Sequence, residues 1–110
     1  MKRRPTMKKP VLALLLILAV STQSLGSFVD GNKLYGYANS DDPVELSIFF
    51  GYVVGTIDAH WGALCIPKDA SSAQVKDIAK KYLDDHPEER HLAAERVVVN
   101  AIREAFPCNK

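Results

Sequence analysis

DPVELSIFFGYVVGTIDAHWGALC, residues 42–65, is the stretch whose reading decides the fold. Asp42 can accept backbone N–H bonds as an N-cap, Pro43 suits the first helical position because its missing N–H would have no partner there, and Glu45 occupies the third, reciprocal position. From there Leu46, Phe49, Phe50, Val53, Ile57, Trp61 and Leu64 recur every three or four residues. That period predicts a helix with one apolar face, running to about Gly62. Gly51, Gly55 and Ala59 form a separate stripe of small residues at intervals of four. Each glycine inside a helix costs about 1 kcal/mol relative to alanine, so the stripe predicts another helix packed at close range to offset the loss.

The flanking segments carry the same period. Downstream, Ser71 and Gln74 form a capping box that opens a helix with Val75, Ile78, Ala79 and Tyr82 on its buried face. That helix ends near Asp85, because His86 precedes Pro87 and is biased away from helical angles. Asp84 to Glu89 then make a tight acidic corner. A last helix, from about Leu92 to Ala105, sets Ala94, Val97, Val98, Ala101, Ile102 and Ala105 on one side and is stopped by Pro107. Upstream, Asp30 to Asn39 reads as a short helix capped by Asp30 or Asn32 and weakened by Gly31 and Gly36. The expected fold is all-α, a small bundle of three main helices plus a short N-terminal helix, in one domain over residues 27–110.

Residues 1–26 read differently. Five basic residues within the first nine are followed by the apolar run Val11–Val20 and then by small polar residues, the layout of a cleavable signal peptide, with cleavage expected between residues 21 and 26. At about 1.5 Å per helical residue the apolar run spans only half of a roughly 30 Å hydrocarbon core, which argues against a permanent anchor. Export across the inner membrane into the periplasm follows. Removing the leader leaves nine Lys and Arg against thirteen Asp and Glu, a net charge of −4. An acidic domain without a basic stripe is a poor match for phosphate backbones or anionic lipid head groups, so no nucleic-acid partner and no membrane association after cleavage are expected.

About 85 residues form a core with a thin stability margin, and a covalent staple would widen it. Cys65 and Cys108 are the only cysteines, and an even pair in a small exported domain is most simply read as a disulfide. Closing that loop would remove denatured-state entropy worth about 4 kcal/mol. Two free thiols or an intermolecular bridge are the competing reading. A metal site is not expected, because neither Cys has a second Cys or a His at ligand spacing.

Catalytic constellations do not emerge from the spacing either. His86 and His91 are five apart across a turn, and no third ligand is placed for them. Asp58 and His60 would face away from each other on a helix. The carboxylates Asp84, Asp85, Glu88 and Glu89 stand where one helix ends and the next begins, with Glu88 and Glu89 expected to favour the positive end of the last helix. No phosphate loop and no nucleophile elbow is present. The expectation is a protein that is not an enzyme and uses no cofactor.

Taken in order, Gly51-Tyr52-Val53-Val54-Gly55-Thr56-Ile57-Asp58-Ala59, Cys65-Ile66-Pro67, Gln74 with Lys81-Tyr82-Leu83, His86-Pro87-Glu88-Glu89-Arg90-His91 and Ala105-Phe106-Pro107-Cys108 resemble the Rap/Tai family of type VI secretion immunity proteins. The resemblance implies an all-helical periplasmic protein, commonly a homodimer, that binds a peptidoglycan amidase effector, a Cys/His hydrolase, and occludes its active site. Family members usually carry another Cys pair, where this chain has Ala38 and Phe49. Candidate partner-binding residues are His60 and Trp61 at the end of the second helix, Lys68 and Asp69 in the loop up to Ser72, and Asp84, Asp85, His86, Glu88, Glu89 and His91 at the corner. Two alternatives belong beside this reading. One is a periplasmic stress chaperone of the HdeA type, whose crowded carboxylates would be neutralised in acid. The other is a family member with no effector partner.

Overall fold

The computed structural model describes residues 27–109, so the expected signal segment lies outside the described residues. Four α-helices follow one another: α1 (Gly31–Ala38), α2 (Pro43–Ala59), α3 (Ser72–Asp85) and α4 (Ala94–Ala105), with single 3-10 turns at Trp61–Ala63 and Pro87–Glu89. The only β pairing among the described residues is an isolated bridge between Asp30 and Ala93. The fold is all-α, as the periodicity predicts.

Each helix begins for a local reason. Asp30 accepts a hydrogen bond from the Lys33 N–H at 2.8 Å and Asp42 one from the Val44 N–H at 2.9 Å, with Pro43 in the first turn. The capping box at α3 is complete: Ser71 Oγ accepts from the Gln74 N–H at 3.0 Å, and the Gln74 side chain accepts from the Ser71 N–H at 3.4 Å. α4 has no side-chain cap. Its first N–H, on Ala94, donates instead to the Val29 carbonyl at 2.9 Å, so the segment before α1 serves as the cap. Leu92 and Ala93 are thereby drawn into contacts with Asp30 and Gly31, and the helix starts at Ala94 rather than at Leu92.

All four helices contribute to one core. Leu34 and Ala38, Phe49, Val53 and Ile57, Val75, Ala79 and Leu83, and Val97, Val98 and Ile102 are all buried. Burying a large apolar side chain is worth about 1.5–3 kcal/mol relative to leaving it exposed, so this cluster is what holds the short helices together. Ala38 and Phe49 are both core residues, and Phe49 fills core volume in the bundle's interior. The Cys65–Cys108 disulfide closes the remaining end, with Cα atoms 5.2 Å apart, tying the chain after α4 to the loop after α2.

Three expectations for α2 change. The helix stops at Ala59, because His60 turns its backbone N–H onto both the Thr56 and Ile57 carbonyls at 3.1 Å and the chain tightens into the Trp61–Ala63 turn. That turn delivers Leu64 to the core and Cys65 to Cys108. The buried face is also narrower than the predicted stripe: Phe49, Val53, Thr56 and Ile57 are buried, whereas Leu46, Phe50 and Trp61 remain exposed at 41%, 39% and 55%. Finally, among the described residues no helix packs on the small-residue stripe. Gly51, Gly55 and Ala59 are exposed, and the space where a Cβ on either glycine would sit is open to 4 Å. A helix apolar around most of its circumference has more such surface than its neighbours in an 83-residue fold cover.

Candidate functional site

The corner between α3 and α4 is built from the last turn of α3. Tyr82 projects from the buried face, and the His86 ring, one turn on, stacks against it at 4.0 Å between centroids with 27° between planes. The Tyr82 hydroxyl donates into the Glu89 carboxylate, 2.9 Å from either oxygen, and the Asn100 side-chain amide donates to Glu89 Oε1 at 3.2 Å. Glu89 is therefore clamped between α3 and α4. This differs from the expected placement of Glu88 and Glu89 at the positive end of α4: Glu89 finds donors in Tyr82 and Asn100, Glu88 pairs with His86, and Glu95 occupies the first turn of α4 instead. Direct hydrogen bonds to a carboxylate are stronger than its attraction to a helix end, which explains the choice.

Arg90 locks the same corner from the other side. Its Nε donates to the Leu83 carbonyl at 2.8 Å, closing the C-terminal turn of α3, and its guanidinium lies 3.6 Å above the Tyr35 ring of α1. The Arg90 and Leu92 carbonyls then accept from the Asn32 and Gly31 N–H groups at 2.7 and 2.8 Å. The short first helix, whose glycines weaken it in isolation, is held by these contacts. Gly31 is buried, and a side chain there would meet the Arg90 backbone at 2.7 Å.

The resulting surface is rigid underneath and anionic outside. Asp84, Asp85, Glu88 and Glu104 are all exposed. His86 Nδ1 lies 2.9 Å from Glu88 Oε2, and Nε2 lies 3.8 Å from Glu104. The hydrogen bond to Glu88 raises the His86 pKa, and the same bond lowers that of Glu88. A hydrogen bond from Lys81 lowers the Asp85 pKa. Burial, reinforced by the bond to Glu89, pushes the Tyr82 phenol far above the ordinary tyrosine range. Near neutral pH the corner therefore presents ionised carboxylates on a fixed scaffold.

The structure does not gather all the predicted binding residues into one place. Lys68 and Asp69 are exposed in the loop before α3, while Asp84 and Asp85 end α3 and His86 to His91 follow it, a separation of about 20 Å along a helix of this length. His60 and Trp61, adjacent in sequence, serve different surfaces: His60 pairs with Glu95 at 2.7 Å at the start of α4, and Trp61 lies beside Ser71 and Ser72 at the start of α3. His91 is exposed. Tyr82, Asn100, Arg90 and Glu104 complete the corner and were absent from the predicted set. Asn100, a polar residue directly following three valines in an otherwise regular apolar stripe, was the available signal.

The contacts also bear on chemistry. His86, Glu88 and Glu89 offer ligand atoms within 4.8 Å of one another, but each is already engaged, His86 with Glu88 and Glu89 with Tyr82 and Asn100. His91, the partner weighed in the sequence, is not part of that group. Both cysteines are consumed by the disulfide. Among the described residues no helix is long and apolar enough to cross a membrane. The exposed carboxylates on this buttressed corner have the shape and charge to contact another macromolecule.

No curated protein sequence matches the chain. The family model of Rap1a immunity proteins matches residues 30–108, from the N-cap of α1 to the second disulfide cysteine. With the match spanning all four helices, the acidic corner and the disulfide, the chain belongs to the Rap1a family of immunity proteins.

Proposed function

We propose that this chain is a periplasmic immunity protein that neutralises a peptidoglycan amidase effector of type VI secretion by occluding its active site, with no catalysis of its own. The family match over residues 30–108 carries the reading. The corner supports it physically. A pre-ordered loop spares the entropy of ordering at the moment of binding, and fixed carboxylates steer a cationic partner surface into register. Asp84, Asp85, His86, Glu88, Glu89 and His91 are the proposed contacts at that end, with Lys68 and Asp69 as a second contact beyond α3.

Coexpression with the amidase encoded beside its gene tests the proposal. An amidase toxic in the periplasm becomes harmless when this chain is exported with it, and the two copurify. Persistent toxicity, with no complex, would exclude it. Cleavage of residues 1–26 is read from the mass of the exported product.

A homodimer belongs to the same proposal. The exposed face of α2, with Val44 and Ile48 in water beside Gly51 and Gly55, is the surface a second copy would cover. Light scattering then gives twice the chain mass, and Gly55→Arg gives the monomer. A monomeric parent protein would remove the dimer without touching the amidase reading.

A further inference from the structure

Between the last turn of α2 and the first turn of α3 the surface opens into a cleft of about 120 Å³, floored by Ile57, Ile66 and Val75 and rimmed by Asp58, Trp61 and Ser71. Asp58 and Trp61 stand three residues apart, so the helix and the 3-10 turn that continues it bring both to one side. The volume decides the class of occupant. Pockets for cofactors and drug-sized ligands run to roughly 300–1,000 Å³, whereas an apolar cavity of about 150 Å³ takes a single benzene. One side chain fits here.

The chemistry of the rim narrows it further. The Ser71 hydroxyl is already committed as the cap of α3, accepting from Gln74 at 3.0 Å. Asp58 is the one charged group on the rim, and it takes part in no ion pair among the described residues. Trp61 is 55% exposed, leaving much of a large indole in water. An indole face next to a carboxylate attracts a cation from two directions, and an apolar floor accepts the methylene stem behind it. Tryptophans in such settings are typical energetic centres of protein interfaces.

The geometry points to a socket for one arginine or lysine side chain of a partner protein, its stem over Ile57 and Ile66 and its cation between the Trp61 ring and the Asp58 carboxylate. Arginine is the better occupant, because a planar guanidinium can stack and hydrogen-bond at once. The inference rests on the reading of this chain as a protein-binding module and is independent of which protein is bound. It also gives Asp58, unused by the acidic corner, a partner.

Trp61 is the only tryptophan of the chain, so its emission and its indole N–H resonance report on this cleft alone. The disulfide-bonded protein is titrated with three capped tripeptides, glycine–X–glycine, in which X is arginine, citrulline or norleucine. The arginine peptide produces a saturable shift at Trp61 and at the Ile66 and Val75 signals. Citrulline and norleucine bind about tenfold more weakly, and Asp58→Asn removes that preference. Equal responses to the three peptides, no saturable response to arginine, or an unchanged arginine affinity in Asp58→Asn would each overturn the socket. These titrations use no amidase. Their failure leaves the amidase reading standing, and failure of the coexpression test leaves the socket standing.

Discussion

Gly31→Ala should be the most damaging single-methyl change in this protein. The added Cβ would lie 2.7 Å from the Arg90 carbonyl oxygen and 2.8 Å from its Cα, both main-chain atoms that cannot rotate aside. α1 would have to withdraw from the corner. Doing so stretches the Gly31-to-Leu92 and Asn32-to-Arg90 hydrogen bonds, worth about 1 kcal/mol each, and the Arg90–Tyr35 stack, worth about 0.5–1 kcal/mol. Alanine's helix propensity returns less than about 1 kcal/mol. The net loss is about 2 kcal/mol, or roughly 8–16 °C in Tm at 4–8 °C per kcal/mol for a domain of this size. Gly36→Ala is the control, because nothing lies within 4 Å of its Cβ position and it sits in the same helix. There the propensity gain stands alone and stability rises by up to about 1 kcal/mol. Thermal unfolding followed by circular dichroism measures both. A Gly31→Ala protein as stable as its parent would show that the clasp between α1 and the Arg90 segment contributes nothing.

The double variant Cys65→Ser/Cys108→Ser should lower the unfolding free energy by about 4 kcal/mol in urea, since a loop closed across 43 positions is freed in the denatured state; a loss under about 1 kcal/mol would contradict the entropic account. Tyr82→Phe removes the donor that clamps Glu89 and should cost about 1–2 kcal/mol. In the parent, Tyr82 stays protonated beyond the pH at which ordinary tyrosines ionise, so its contribution is full below about pH 10 and is lost as pH rises further, which absorbance at 295 nm in the parent and the variant resolves. His86, whose pKa is raised by Glu88, contributes stability that is complete below its unfolded pKa of about 6.5 and fades as pH climbs through the higher folded value. Denaturant midpoints between pH 5.5 and 8 should therefore fall more steeply for the parent than for His86→Gln; parallel curves would show that the pair with Glu88 carries no linkage.

The legible parts of this protein are those governed by neighbours in sequence. Asp42 with Pro43, and Ser71 with Gln74, announce the starts of α2 and α3 because a cap acts over two or three residues. The corner at Pro87 was equally visible, since proline restricts the residue before it. Its interior was not. Glu89 reaches Tyr82 seven positions back and Asn100 eleven ahead, and no local rule specifies which carboxylate of a crowded run will find those donors. For the same reason the buttressing of the corner by Tyr82, Asn100 and Arg90 emerges only in three dimensions.

Charge, helical period and caps by themselves determined an all-α bundle, acidic over residues 27–110, because each of these depends on composition or on residues within a turn of one another; the two cysteines made one staple the simplest reading, and the fold set their Cα atoms 5.2 Å apart. Tertiary structure alone decided which apolar residues of α2 face the core, that its small-residue stripe faces solvent, and that Gly31 is a site of backbone contact rather than a weak point in a helix. Those outcomes turn on which helices pack where. That choice is made by the whole core at once, and a one-dimensional pattern can say that a face is apolar without saying what will cover it.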